Sequence, residues 1–206
     1  MALKTFVKLN SVTNLTDARY GAGMYVNLLG FNLNETSENY VNPAQFQEIT
    51  GWVSGVDFVG EFTHHNSPDL LEKLKAYPSI TWIEYDRLEE LQALAATDYS
   101  LIYKVALAEI RHIESEVAGL LSESNIVLHI FSEEETLAPR DLEVVTALAQ
   151  NCKVILGTGI TESNILDLID QSGIYGISLS GGEEIKPGLK DMNELADILE
   201  KLETED

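Results

Sequence analysis

Eight short runs of apolar and β-branched residues recur along the chain, and amphipathic stretches with helical spacing separate them. The runs are Phe6 to Leu9, Val26 to Phe31, Val56 to Phe62, Ile80 to Tyr85, Leu101 to Val105, Ile126 to Phe131, Lys153 to Leu156 and Tyr175 to Leu179. They are near-continuous rather than alternating, the pattern of strands buried on both faces of a parallel sheet. Between them apolar residues return every three or four positions, as in Leu70, Leu71, Leu74, in Leu88, Leu91, Leu94, in Ile110, Ile113, Val117, Leu120, Leu121, and in Leu195, Ile198, Leu199, Leu202. Helix-start chemistry falls where this scheme needs it: Asn42-Pro43 ahead of Phe46 and Ile49, and Thr161-Glu162-Ser163 ahead of Ile165 and Leu166.

Strict alternation of strands and helices, with no composition break or flexible linker, leaves two candidate architectures. A doubly wound open sheet usually stops at about five or six strands and carries a glycine-rich turn after the first. The turn here reads Asn10-Ser11-Val12-Thr13, without glycine. The chain is therefore read as an α/β protein, a (β/α)8 TIM barrel forming one domain over residues 1–206, near the lower size limit of about 200 residues for this fold.

Charge narrows the function classes. The chain has 34 acidic and 13 basic residues, for a formal net charge of −21. Phosphate backbones and anionic membranes are held by clustered Lys and Arg, so neither nucleic acid nor a membrane surface is an expected partner. No run approaches the roughly 18–20 apolar residues of a membrane span. Met1-Ala2-Leu3-Lys4 leads straight into a strand-like run with no signal-peptide layout, so a cytoplasmic location is expected. The single cysteine, Cys152, opens an apolar run and reads as a buried structural thiol. His64-His65 is a poor metal pair, because adjacent strand residues point to opposite faces. No metal or cofactor is expected, and the chain is read as a monomer or homodimer.

In barrels of this kind ligands bind at the C-terminal strand ends, and phosphate commonly sits between the loops after strands seven and eight. Both loops are rich in glycine: Gly157-Thr158-Gly159-Ile160-Thr161 leads into a helix, and Ser180-Gly181-Gly182 precedes Pro187-Gly188-Leu189-Lys190-Asp191. Glycines let backbone N–H groups approach an anion, and a helix N-terminus adds partial positive charge. Gly157, Thr158, Gly159, Ser180, Gly181 and Gly182 are therefore the candidate phosphate contacts of a phosphorylated small molecule.

The segment Lys8-Leu9-Asn10-Ser11-Val12-Thr13-Asn14-Leu15-Thr16-Asp17-Ala18 resembles the opening Lys-Ile-Cys-Gly-Ile-Thr-Asn-x-x-Asp-Ala of the phosphoribosylanthranilate isomerases. Leu29-Gly30-Phe31 with Ser37-Glu38-Asn39-Tyr40-Val41-Asn42-Pro43 is similar to that family's Gly-Phe and Ser-x-Arg-Tyr-Val-x-Pro, and Val59-Gly60-Glu61-Phe62 to its Val-Gly-Val-Phe. The two glycine loops and Pro187-Gly188-Leu189-Lys190-Asp191 match its C-terminal end, so the resemblance runs nearly the whole length in register. It implies a small (β/α)8 barrel and a cofactor-free Amadori rearrangement in tryptophan biosynthesis.

The resemblance breaks where that chemistry lies. The reaction needs a general acid and a general base. The family's base cysteine falls on Asn10 and its acid aspartate on His129. Its anthranilate-pairing arginine falls on Asn39, its Gly-Lys loop on Ser132-Glu133-Glu134-Glu135, and its strand-eight aspartate on Ser178. The leading expectation is a divergent barrel that binds a phosphorylated ligand without running the isomerase efficiently. An active isomerase stays open. So does a repurposed lyase or isomerase using Glu61, Glu84, Lys104 and His129, with the two glutamates as bases of raised pKa and Lys104 as an oxyanion partner or Schiff-base lysine. A non-catalytic interaction protein, engaging a basic partner through Ser132 to Glu135 or Glu203 to Asp206, is the third class. Convergence of Glu61, Glu84, Lys104 and His129 beside a cavity at the glycine loops would favour new chemistry.

Overall fold

Apolar runs buried on both faces need a sheet covered inside and out, and the computed structural model meets that need by closing the sheet on itself. It describes residues 2–63, 70–113, 115–132, 136–182, 184–186 and 189–204. The strands are β1 (Phe6–Asn10), β2 (Leu28–Asn32), β3 (Asp57–Glu61), β4 (Trp82–Tyr85), β5 (Ser100–Ala106), β6 (Ile126–Phe131), β7 (Val154–Gly157) and β8 (Gly176–Ser180). They pair in parallel in chain order, and β8 returns to β1 with Phe6 opposite Gly176 and Asn10 opposite Ser180. This is a (β/α)8 barrel, and each strand overlaps one of the eight apolar runs in the sequence.

The helices are α1 (Leu15–Gly23), α2 (Pro43–Thr50), α3 (Leu70–Leu74), α4 (Leu88–Ala93), α5 (Ser115–Glu123), α6 (Pro139–Ala149), α7 (Ile165–Ser172) and α8 (Asn193–Leu202). Asn42 and Pro43 start α2 as expected: Asn42 Oδ1 accepts the backbone N–H groups of Ala44 and Gln45, and the Gln45 side chain accepts from Asn42 N. The periodic stretch from Ile110 to Leu121 is not one helix. Leu107–His112 forms a 3-10 helix and Ile113 is extended before α5. Residues three apart eclipse in a 3-10 helix, so Leu107 and Ile110 face the core together. Two short ribbons complete the fold: Ala2–Leu3 pairs antiparallel with Glu203–Thr204, and Glu184–Lys186 with Leu189–Lys190.

The larger core lies between strands and helices and includes Leu195, Ile198, Leu199 and Leu202 of α8. Cys152 is buried there, and burial pushes its thiol up to about 11, as a structural thiol requires. No helix among the described residues is long and apolar enough to cross a membrane. His64, His65 and Glu133 to Glu135 lie outside the described residues, as do Glu205 and Asp206.

The barrel interior decides where chemistry is available. Leu28, Val59, Ile102, Val127 and Ile155 form an apolar floor, closed below by Phe6, Trp82 and Tyr175. Two residues further along each strand the same inward face returns. There the residues are Lys8, Gly30, Glu61, Glu84, Lys104, His129, Gly157 and Ser178, one from each strand in order. A polar layer therefore rests directly on an apolar one at the C-terminal end of the barrel.

Candidate functional site

Ionisable groups in a barrel interior survive only if each finds a partner, since an unpaired buried charge is neutralised or destabilising. Lys8 is wholly buried, and its Nζ donates to Glu61 Oε1 at 2.5 Å and Asn10 Oδ1 at 2.6 Å, and lies 3.0 Å from Glu84 Oε2. Lys104 Nζ stands 3.7 Å from Glu84 Oε1 and 4.3 Å above the Phe131 ring. Two ammonium groups thus face two carboxylates. Glu61 Oε2 also accepts from Ser11 N and Ser11 Oγ, both at 3.2 Å. Ser11 holds φ +49, a left-handed conformation uncommon outside glycine, and these two bonds tie it there.

Glu84, His129 and Ser178 continue the layer as a chain. His129 Nδ1 is 2.8 Å from Glu84 Oε2, and His129 Nε2 is 2.6 Å from Ser178 Oγ. Burial alone would raise the Glu84 carboxyl, but Lys8, then His129 and Lys104, hold it well below the usual range. This corrects the expectation of a glutamate base with raised pKa: the nearby cations outweigh desolvation. For His129 burial is the largest influence and lowers its pKa, against the opposing pull of Glu84. Burial would likewise lower Lys8, yet Glu61 and Glu84 outweigh it and its pKa is raised.

The glycines of this layer are there for space. A Cβ on Gly30 would stand 2.0 Å from Glu61 Oε1, and one on Gly157 would stand 2.3 Å from Ser178 Oγ and 2.9 Å from His129 Nε2.

Beside the layer opens a cavity of about 680 Å³. Gly157, Thr158, Gly159 and Thr161 form one wall, and Ser178, Ser180 and Gly182 another. Asp191, Asn193 and Glu194 at the start of α8 close it. Five of the six candidate phosphate contacts therefore share one cavity. Gly181 packs instead against Lys190 and Met192, and the Gly182 N–H donates to Asp191 O at 2.8 Å. No Lys or Arg is among the described lining residues, and Lys190 turns away, 3.5 Å from Asp17 Oδ2 and 3.3 Å from Ser11 O.

Of the five candidate catalytic residues, Asn10, Glu61, Glu84, Lys104 and His129 all meet in one network, but none of them lines the cavity itself. Asn10 has both ends of its carboxamide engaged, Oδ1 by Lys8 and Nδ2 by Ser180 Oγ at 3.3 Å. Ser178 is the layer residue that, with Gly157, reaches the cavity wall. Sequence reading gave no role to Lys8, which links Asn10, Glu61 and Glu84. Its signal was spacing: it follows inward-facing Phe6 by two residues, as Glu61 follows Val59 and His129 follows Val127.

The lowered His129 pKa sets a pH dependence. A group depressed in the folded state contributes stability that is full above its unfolded value, near 6.5, and is lost as pH falls through the folded one. Glu84 acts in the same sense, from its unfolded value near 4.5 downward. The protein is therefore expected to lose stability progressively below about pH 6.5. His129→Asn should move the start of that decline towards pH 4.5, as read by urea midpoints across a pH series; an unchanged limb would show that His129 does not contribute.

Residues 8–201 match the family model described as N-(5'phosphoribosyl)anthranilate (PRA) isomerase. The N-(5'-phosphoribosyl)anthranilate isomerase of Chlorobium chlorochromatii is 27% identical over 202 residues, covering 90% of this chain and 91% of the relative. That of Gloeothece citriformis is 26% identical over 208 residues, covering 95% and 93%. Among solved structures, phosphoribosyl anthranilate isomerase from Thermotoga maritima superposes with a TM-score of 0.78 at 21% identity, covering 96% of this chain and 98% of that one. A phosphoribosyl anthranilate isomerase solved in complex with reduced 1-(o-carboxyphenylamino)-1-deoxyribulose 5-phosphate superposes with a TM-score of 0.75, also at 21% identity and with the same coverage.

Proposed function

The chain belongs to the N-(5'-phosphoribosyl)anthranilate isomerase family, and from that premise we propose that it binds a phosphorylated small molecule in the cavity between the β7 and β8 turns without running the isomerase rearrangement efficiently. The observation that carries this reading is the state of Asn10. The resemblance over Lys8 to Ala18 puts the family's base on this residue, and its oxygen already accepts from the Lys8 ammonium at 2.6 Å. A carboxamide has no useful basicity, and this one is held by a cation that disfavours proton uptake further. His129, on which the resemblance puts the family's acid, has both ring nitrogens engaged by Glu84 and Ser178. The ligand reading rests on the glycine turns lining the cavity and on the phosphorylated analogue bound by a relative of the same fold. With Asp191 and Glu194 on the α8 side, the phosphate belongs beside Gly157 to Ile160, where glycine leaves room for an anion to approach the backbone without cationic side chains.

The test is an assay with freshly generated phosphoribosylanthranilate, followed by loss of anthranilate-type fluorescence, alongside calorimetric titration with inorganic phosphate. The expected result is phosphate binding without turnover, and activity gained, if at all, only in an Asn10→Cys, His129→Asp double variant. Wild-type turnover at about 1–1000 per second, the ordinary enzymatic range, would overturn the catalytic part. Absence of phosphate binding would overturn the ligand part.

A further inference from the structure

Glu84, His129 and Ser178 come from three alternate strands, β4, β6 and β8, and meet end to end inside the barrel. The Glu84 carboxylate faces Lys8 at 3.0 Å and Lys104 at 3.7 Å, so it is an acceptor only. His129 Nδ1, 2.8 Å away, must then carry the proton and donate it. With the ring neutral, Nε2 keeps its lone pair and accepts the Ser178 hydroxyl proton at 2.6 Å. The three groups thus hold the tautomer and polarity that raise a serine hydroxyl to a nucleophile: base beside it, carboxylate orienting the base. The far end is closed by the Lys8 and Glu61 pair, while the serine end, beside Gly157, reaches the cavity wall. Glycine at 157 is what keeps that end clear, since a Cβ there would meet both Ser178 Oγ and His129 Nε2.

We propose that Ser178, His129 and Glu84 form a nucleophilic site that cleaves a small carboxylic ester admitted to the 680 Å³ cavity. Ser178 Oγ bonds to the carbonyl carbon as its proton moves to His129 Nε2. The bond from that carbon to the ester oxygen breaks, the departing oxygen takes the proton from Nε2, and an alcohol leaves. Water then bonds to the acyl carbon, its proton passing to Nε2. The bond from that carbon to Ser178 Oγ breaks, Oγ takes the proton back from Nε2, and the acid leaves. Ester and water become acid and alcohol with no change of oxidation state. Glu84 stays ionised throughout and stabilises the transient imidazolium. This site opens on the same cavity as the phosphate seat, but it is built from side chains rather than from the glycine turns and does not require phosphate binding.

The experiment uses a small alkyl fluorophosphonate as the covalent probe and p-nitrophenyl acetate as the ester, with intact-mass and peptide mapping to find the labelled residue. The expected result is a single adduct on Ser178, with labelling and ester cleavage both lost in Ser178→Ala and reduced at least about 100-fold in His129→Asn, the usual scale of general-base assistance. The wild-type labelling rate should stay flat down through about pH 6.5 and fall only at lower pH, as a lowered histidine pKa requires. A folded wild type that takes no adduct at Ser178, or takes one with equal speed in His129→Asn, overturns the proposal. Long-range proton–nitrogen NMR on the wild type gives a readout that needs no variant: a proton on Nδ1 and none on Nε2 supports the relay, and a proton on Nε2 overturns it. Phosphate titration of Ser178→Ala, run in parallel, reads the phosphate seat separately.

Discussion

Replacing Lys8 with methionine is expected to destabilise the protein by about 3–5 kcal/mol, because it leaves buried carboxylates without their shared cation. Lys8 is wholly inaccessible, and its Nζ lies 2.5 Å from Glu61 and 3.0 Å from Glu84. Methionine keeps the unbranched shape of the side chain, so the loss reports the charge rather than a cavity. For a domain of this size each kcal/mol moves the melting temperature by about 2–4 °C, so a drop on the order of 10 °C is expected. Lys104→Met should lose far less, about 1 kcal/mol or under, because that ammonium is partly exposed and stands 3.7 Å from Glu84. Without Lys8 the Glu84 pKa is held down less, by His129 and Lys104 alone, so the variant has less stability to lose as pH falls below 4.5. The gap between variant and wild type should be widest at neutral pH and narrow as pH falls below 4.5. Equal thermal and urea midpoints for Lys8→Met and wild type at pH 7 would show that water screens these carboxylates.

Gly30→Ala should cost about 3 kcal/mol, from overpacking together with displaced hydrogen bonds to a charged group. The added carbon would stand 2.0 Å from Glu61 Oε1, 2.6 Å from its Cδ and 3.2 Å from the Leu9 carbonyl oxygen. Glu61 has nowhere free to move, since Lys8 and Ser11 hold its two oxygens. Gly30 has no positive φ, so backbone strain plays no part and the effect is steric. Gly119→Ala on α5 makes the comparison, because a Cβ there meets nothing within 4 Å. That change should stabilise by about 0.5–1 kcal/mol, as alanine replaces glycine inside a helix. Urea midpoints of the two variants moving in opposite directions would confirm the reading; a Gly30→Ala protein as stable as wild type would refute it.

The site was legible in parts. Glu61, Glu84, Lys104 and His129 stood out as polar residues at or near the ends of apolar strands, where a polar group has to be answered by another, and Asn10 stood out because the resemblance puts the family's base cysteine on it. The glycine turns were legible because strand seven and strand eight end in them and the barrel order sets them side by side. Lys8 was hidden by its position within an apolar strand, where a long cation reads as a surface residue. Ser178 was visible as a replaced aspartate, but a serine hydroxyl has no identity as a nucleophile until a base stands beside it. Gly181 and Gly182 read as anion contacts by composition, yet one packs on Lys190 and the other donates its N–H to Asp191.

The sequence by itself determined the barrel: near-continuous apolar runs require a parallel sheet buried on both faces, and eight of them, with no glycine-rich turn after the first, exceed what an open doubly wound sheet usually holds. It also determined that a polar layer sits above an apolar floor, since residues two apart on a strand share a face. What only the tertiary structure decided is which polar groups touch. Lys8, Glu61, Glu84, His129 and Ser178 are separated by 20 or more residues along the chain. Their contacts depend on strand stagger around the closed barrel and on side-chain reach across its axis. Local sequence encodes neither, and the same geometry turned a glutamate expected to be a base into an anion held by two lysines and a histidine.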